Sequence, residues 1–271
     1  MNSIFIPNRA PANGQHAGQN SKSLLRYPGG KSRAVHQILP FFPAQPGILV
    51  SPFMGGGSVE LAAGGLGWKV LGFDLFQPLV HFWQVLLTEP EELAKEVERY
   101  YPMAREEFYR LQQAQFESPL EEAARFYVVN RCSFSGATMS GGMSPGHDRF
   151  TPSAIERVRR FAADNLWVEC ADFTKSILQH PEAFLYLDPP YFSACRLYGR
   201  RGDLHEGFYH RGLRDLLQSR SNWVLSYDDC PDVRKMYRGF RIIELSWTYG
   251  MSNNKKSREI LILGHDVATA T

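Results

Sequence analysis

Cysteine is scarce in this chain, and its scarcity excludes several kinds of chemistry. Four cysteines in 271 residues, at positions 132, 170, 195 and 230, form no CxxC pair. Neither a zinc site nor a thioredoxin-like redox motif is therefore expected, and no metal. So few thiols in so long a chain also make no disulfide framework. An excess of one charge is missing too: 30 Lys and Arg against 28 Asp and Glu leave a net charge of +2. That excludes a polybasic tail but leaves room for a local basic groove. Long hydrophobic runs are absent as well. Ile4, Phe5 and Ile6 are too short a stretch for a signal-peptide core, and no later segment reaches the roughly eighteen apolar residues of a spanning helix. A cytoplasmic protein with no membrane partner is the expectation.

The residues that are abundant point to a folded domain. Hydrophobic residues make up 44% and charged ones 21%, a globular balance rather than a disordered one. Residues 1–21, rich in Asn, Gln and Gly, read as a flexible segment. Beyond them, 48–50 reads as a buried strand, Gly55, Gly56 and Gly57 as a tight turn, Ser58 as a helix start, and 69–73 as a second strand closing on Asp74. This β-turn-α-β unit belongs to a parallel sheet. Residues 89–101, 103–116 and 120–129 carry helical spacing, and 133–152 turn rich in Gly, Ser, Met and Pro, as in an irregular loop or hairpin. A helix resumes near Ser153, which is expected to cap it. Strands return at 166–168, 184–187, 223–226, 241–245 and 260–263. The pattern predicts an α/β domain from 22–92 and 165–266, interrupted by a mainly helical insert over 93–164.

Three stretches carry chemistry. Asp188, Pro189, Pro190, Tyr191 and Phe192 directly follow the apolar strand 184–187. A strand end delivers the carboxylate, the prolines stiffen the backbone without supplying N–H donors, and the tyrosine offers a ring on which a planar base can stack. An Asp beside a free carbonyl gives two acceptors for an exocyclic amine; a proline-rich turn after a core strand is the plainer alternative. The loop after the first strand, Pro52 to Ser58, has glycines that let backbone approach a ligand and a helix start that presents N–H groups. Asp74 ends the next strand, where an acid accepts from ribose hydroxyls. No Lys-Ser/Thr pair follows the glycines, so the ligand reads as nucleoside-like without a diphosphate. The third stretch, Arg26 to Ser32, contains Tyr27 and Lys31 ahead of the first strand.

In this order the segments RYPGGK, SPFMGGGSVEL, FDLFQPLVHFW, VVNRCSFSG, VECADF, LDPPYF and SNNKKSREILIL resemble the DNA adenine-N6 methyltransferases of the Dam type. The resemblance runs through most of residues 22–265. It implies a Rossmann-like, seven-stranded, mostly parallel methyltransferase sheet, with residues 93–164 as a target-recognition insert. S-adenosyl-L-methionine is the implied cofactor and double-stranded DNA the implied partner, with the enzyme expected to act as a monomer. Tyr27 and Lys31 are implied to contact the cofactor, Phe53, Gly55 and Gly57 to form its bed, and Asp74 to hold its ribose. Asp172 is implied to accept from its adenine amine, with Phe173 against the ring and Asp188 close by; Asp172 as a helix cap remains open. Asp188, Pro189, Pro190 and Tyr191 are implied to receive a flipped-out adenine. Arg131 and Arg149 are candidates for DNA contact, as are His147, Arg157, Arg159 and Arg160, with a solvated helix face the alternative for residues 157–160. Arg196, Arg200 and Arg201 are candidates in a loop that closes over the base. Asp at position 188 favours adenine over cytosine N4 or protein glutamine, whose enzymes use Ser or Asn there. RNA as substrate and a catalytically dead DNA-binding relic stand as alternatives.

Overall fold

Short runs rich in Val, Ile and Leu become strands because they are covered on both faces. The computed structural model describes residues 22–27, 29–136, 139, 141–144, 149–192, 208–245 and 259–267. Its strands are β1 (Ile48–Ser51), β2 (Lys69–Asp74), β3 (Leu166–Cys170), β4 (Phe184–Leu187), β5 (Trp223–Asp228), β6 (Arg241–Leu245) and β7 (Glu259–Leu263). Every residue of β4, β5 and β7 is buried. The seven strands lie in the order β3-β2-β1-β4-β5-β7-β6. β1 to β5 run parallel, and β7 is antiparallel to both β5 and β6. The expected seven-stranded, mostly parallel α/β sheet is the fold.

The helices are α1 (Val35–Ile38), α2 (Ser58–Gly65), α3 (Gln77–Thr88), α4 (Pro90–Glu98), α5 (Arg105–Gln113), α6 (Pro119–Cys132), α7 (Pro152–Arg159), α8 (Phe173–Gln179), α9 (His210–Gln218) and α10 (Pro231–Met236). Alternation along the strands divides the core in two. Leu49, Tyr186, Val224 and Leu261 pack with residues of α1, α2, α3 and α6. Val50, Leu185, Leu225 and Ile262 pack on the other face with Ile177 of α8, Leu213 and Leu217 of α9 and Val233 of α10. From β1 the chain runs outward to β2 and β3, then returns to β4 on the other side of β1. The loops leaving β1 and β4 therefore diverge, opening the crevice in which doubly wound sheets bind ligands.

The helical stretch between β2 and β3 is not held apart from the sheet. Phe82 of α3 stacks on Tyr127 of α6 at 5.5 Å and 4°, so α6, which the sequence assigns to the insert, shares a core with α3. One cap differs from expectation. Thr151, with an extended backbone, accepts from the Ala154 amide at 3.2 Å, and Pro152 and Ser153 lie in the first turn of α7. Proline suits the first helical position, where its missing N–H costs nothing, so the cap moves one residue ahead of it.

Arg220, just before β5, ties the α8–β4 connection down. Its guanidinium donates to the carbonyls of Ile177 at 3.2 Å, His180 at 2.9 Å and Ala183 at 2.6 Å. Arg220→Met leaves those carbonyls without this donor and is expected to lower stability by about 2 kcal/mol in urea unfolding. An unchanged midpoint would show that water replaces the guanidinium.

Candidate active site

The loop after β1 is shaped by what covers it. Gly55 and Gly57 have φ of +48° and +66°. A Cβ at Gly55 would stand 2.8 Å from the Tyr27 ring, and one at Gly57 2.8 Å from Trp83. Only glycine combines that backbone with that close an approach. Asp74, at the end of β2, clamps the loop: its carboxylate accepts from the amides of Gly55 and Phe76, both at 3.0 Å. Burial raises the Asp74 carboxyl above its ordinary value, against the pull of these amides. Trp83 of α3 donates to the Gly55 carbonyl at 3.1 Å. Tyr27, Phe53, Gly55, Gly57 and Asp74 are thus gathered at the carboxyl ends of β1 and β2.

At the end of β4 stands Asp188. Lys31 Nζ lies 2.6 Å from both its carboxylate oxygens, and donates to the Gly29 carbonyl at 3.0 Å. Lys31 is also 3.6 Å from Glu259 Oε2 on β7 and 5.0 Å from the Tyr191 ring centroid. Burial raises the Asp188 carboxyl, and the Lys31 charge and hydrogen bond oppose it. The Phe192 amide donates to Asp228 Oδ1 at 2.9 Å, which anchors the chain just after Tyr191. The ammonium expected near the cofactor is therefore engaged with the candidate catalytic carboxylate.

Phe53 and Phe173 lie 5.8 Å apart, and Phe208 completes a trio at 5.5 and 5.3 Å from them. Asp172 caps α8, its Oδ1 accepting from the amides of Thr174 at 2.7 Å and Lys175 at 3.0 Å. The capping alternative is thus realised for Oδ1, while Oδ2 makes no hydrogen bond among the described residues.

The arginines separate into two groups. Arg159 pairs with Glu91, Glu98 and Glu156, and Arg160 with Glu156, so these two fasten α7 to itself and to α4. Arg26, Arg131, Arg149 and Arg157 make no ion pair among the described residues. Arg131 donates to the Arg149 carbonyl at 2.8 Å, Arg26 to the Ser133 carbonyl at 3.1 Å and Arg157 to the Ser23 carbonyl at 3.3 Å. Burial lowers the Arg26 guanidinium, and the charges of Arg149 and Arg131 lower it further. His147, Arg196, Arg200 and Arg201 lie outside the described residues.

Sequence reasoning overlooked Glu60, Asp228, Glu259, Phe208 and Arg26. A carboxylate inside the small-residue helix start SVELAAGG and another opening the apolar run EILIL were the available signals for Glu60 and Glu259. Phe208 carried none, since only the fold brings it to Phe53. Glu60 is 2% exposed and accepts from the Ser51 hydroxyl at 2.6 Å. Tyr186 OH and Ser226 Oγ are buried on the same face without hydrogen-bond partners among the described residues.

The sequence model for D12 class N6 adenine-specific DNA methyltransferases matches residues 27–251. The chain is 24% identical to the type II methyltransferase M1.LlaDCHI of Lactococcus lactis subsp. cremoris over 91% of its own length and 96% of that protein's. It is 24% identical to a DNA adenine methylase of Vibrio cholerae, covering 89% of this chain and 93% of the relative. A DNA adenine methylase of Haemophilus influenzae is 22% identical, with coverage of 88% and 90%.

Burial, opposed by the Ser51 hydroxyl, pushes the Glu60 carboxyl up from 4.5 to about 7. The folded chain then holds this proton more tightly than the unfolded chain, so the group's contribution to stability is full at low pH and is lost as pH rises through about 7. Melting temperature followed from acid to neutral pH should fall more steeply in the wild type than in Glu60→Gln, and parallel curves would refute the raised carboxyl.

Proposed function

Because the chain belongs to the D12 class of N6 adenine-specific DNA methyltransferases, we propose that the crevice between β1 and β4 receives a flipped adenine on Asp188, Pro189, Pro190 and Tyr191, and the cofactor on the loop 53–57, Asp74 and the aromatic trio. The activity is that of the family: methyl transfer from S-adenosyl-L-methionine to the N6 amine of adenine in DNA. The observation that carries the assignment is the Asp188 carboxylate, held 2.6 Å from Lys31 where the loops from β1 and β4 diverge.

The residues fit the cofactor. Gly55 and Gly57, with positive φ and with Tyr27 and Trp83 packed where a Cβ would stand, fix the shape of the loop at the carboxyl end of β1. Asp74 offers a carboxylate beside it, and Phe53, Phe173 and Phe208 offer flat apolar faces. Bound there, S-adenosyl-L-methionine supplies a methyl group activated by a sulfonium. The chain's own task is to prepare the amine, whose lone pair is delocalised into the purine ring. Hydrogen bonds from that amine to Asp188 and to the Pro189 carbonyl favour a pyramidal nitrogen with its lone pair free of the ring. Tyr191 supplies the stacking face that repays part of the unstacking cost of flipping. Positioning and electrostatics supply the rate, with no covalent enzyme intermediate.

Arg26, Arg131, Arg149 and Arg157, lacking acidic partners among the described residues, support a phosphate-binding face for duplex DNA beside the crevice. Arg196, Arg200 and Arg201 are proposed to close over the flipped base. Log affinity against log salt should lose a slope of roughly 0.9 for each phosphate contact removed. Arg149→Ala is expected to flatten the line by about that amount, while an unaltered slope would remove Arg149 from the DNA face.

Transfer of label from S-adenosyl-L-methionine to mixed-sequence duplex DNA, with nucleoside analysis, tests the whole reading. Label should appear in N6-methyladenine; label in N4-methylcytosine would reassign the base. Asp188→Ala should cut transfer by about a hundred-fold or more with cofactor affinity retained, and Asp74→Ala should weaken cofactor binding. The opposite pattern would exchange the two roles.

A further inference from the structure

Glu60 presents a physical problem that the assigned roles leave unsolved. It is nearly fully buried and makes no ion pair among the described residues, yet a buried carboxyl is costly unless compensated. Ser51 Oγ donates to it at 2.6 Å, and the charges acting on it include those of Asp188 and Lys31. Lys31 presents the complementary problem. Its ammonium spans both Asp188 oxygens at 2.6 Å, and a carboxylate so neutralised is a weak acceptor for a substrate amine. Glu259 Oε2 is already 3.6 Å from the same ammonium. The Tyr186 hydroxyl lies within reach of the charges of Asp188, Glu60 and Glu259 and has no hydrogen-bond partner among the described residues. Ser226, one step beyond the paired residues Leu187 and Leu225, adds beside Asp188 a second hydroxyl without a hydrogen-bond partner among the described residues.

We propose that Glu60 and Glu259 form a second berth for the Lys31 ammonium, to which it turns when the target base enters, releasing Asp188 as a full carboxylate for the amine. Glu60 is then a positioning residue that acts through Lys31. The inference rests on the proposed role of Asp188.

The berth attracts the ammonium strongly only when Glu60 is ionised, and its carboxyl is pushed up to about 7. The groups acting on it are Ser51 from β1, Asp188 from the end of β4 and Lys31 from the loop ahead of α1; Tyr186 of β4 senses the charges of both Glu60 and Glu259, and Glu259 of β7 reaches Lys31. Arg33 and His36 near α1, Lys69 of β2 and Glu169 of β3 are solvent-exposed, and Asp74 is bonded to the amides of Gly55 and Phe76. Release of Asp188 should therefore improve as pH rises through neutrality.

The test is single-turnover methyl transfer by the full chain, at saturating S-adenosyl-L-methionine and duplex DNA, from acid to mildly alkaline pH. Below the Glu60 transition the wild type resembles Glu60→Gln, and their rate ratio should be near one. Above it the ratio should climb to about ten, the scale of one lost charge-assisted contact. A ratio that stays constant across pH would overturn the proposal, because a merely structural role has no reason to follow this titration. If Glu60→Gln does not fold, Ser51→Ala serves instead. Losing the hydroxyl that favours the ionised form should move the midpoint of the wild-type pH profile upward, and an unmoved midpoint would overturn the proposal. Transfer by the wild type with a flat ratio sinks only the berth, whereas absence of DNA methylation by the wild type at every pH sinks the proposed function.

Discussion

The ion pair between Lys31 and Asp188 joins residues 157 positions apart, and the arrangement of the crevice depends on it. Lys31 is 4% exposed, so its charge has left water and must be repaid by well-aligned partners. Asp188 supplies two oxygens, Glu259 a third at longer range, and the Gly29 carbonyl an uncharged acceptor. That concentration of partners holds the segment ahead of α1 against the carboxyl ends of the central strands. Replacing such a pair by apolar side chains is often neutral or stabilising elsewhere. Its presence at the mouth of a ligand crevice is therefore better explained by chemistry than by stability.

The sheet makes this concentration possible by dividing its labour between two faces. Along β4, Leu185 and Leu187 enter one apolar cluster while Tyr186 enters the other, and Asp188 follows Tyr186 onto the polar side at the strand end. Glu60, Ser51, Tyr186, Ser226 and Glu259 collect there, beneath Lys31. The opposite face remains apolar at the same depth and carries α8, α9 and α10. A methyltransferase that must strengthen an amine as a nucleophile without forming a covalent intermediate needs such a region of controlled charge, sheltered from water.

Much of this was legible in the linear chain because strong local rules carried it. Apolar runs ending in Asp74 and Asp188 marked the strand ends, and the glycines of the 55–57 loop marked a turn that no other residue could make under Tyr27. The helical patterns over 89–101 and 120–129 also correspond to α4 and α6. Less legible was whatever depended on partners distant in sequence. Thr151 rather than Ser153 caps α7 because Pro152 takes the first helical position. Arg159 and Arg160 read from the sequence as DNA-contact candidates or a solvated helix face, and only the packing of α4 against α7 brings Glu91 and Glu98 to Arg159, beside Glu156. Asp172 carries a helix-capping bond that its motif did not distinguish from a ligand contact.

The sequence by itself determined the family, the reaction class and the two strand-end carboxylates, because those follow from short motifs whose order and local backbone demands survive without any knowledge of distant contacts. Tertiary structure alone decided that Lys31 meets Asp188, that Phe208 joins Phe53 and Phe173, and that Glu60 lies buried beside Ser51. These are outcomes of strand order and register: pairing β4 with β1 and β5, and β7 with β5, sets residues far apart in the chain on one face, and electrostatic coupling depends on distance in space, not on separation along the chain.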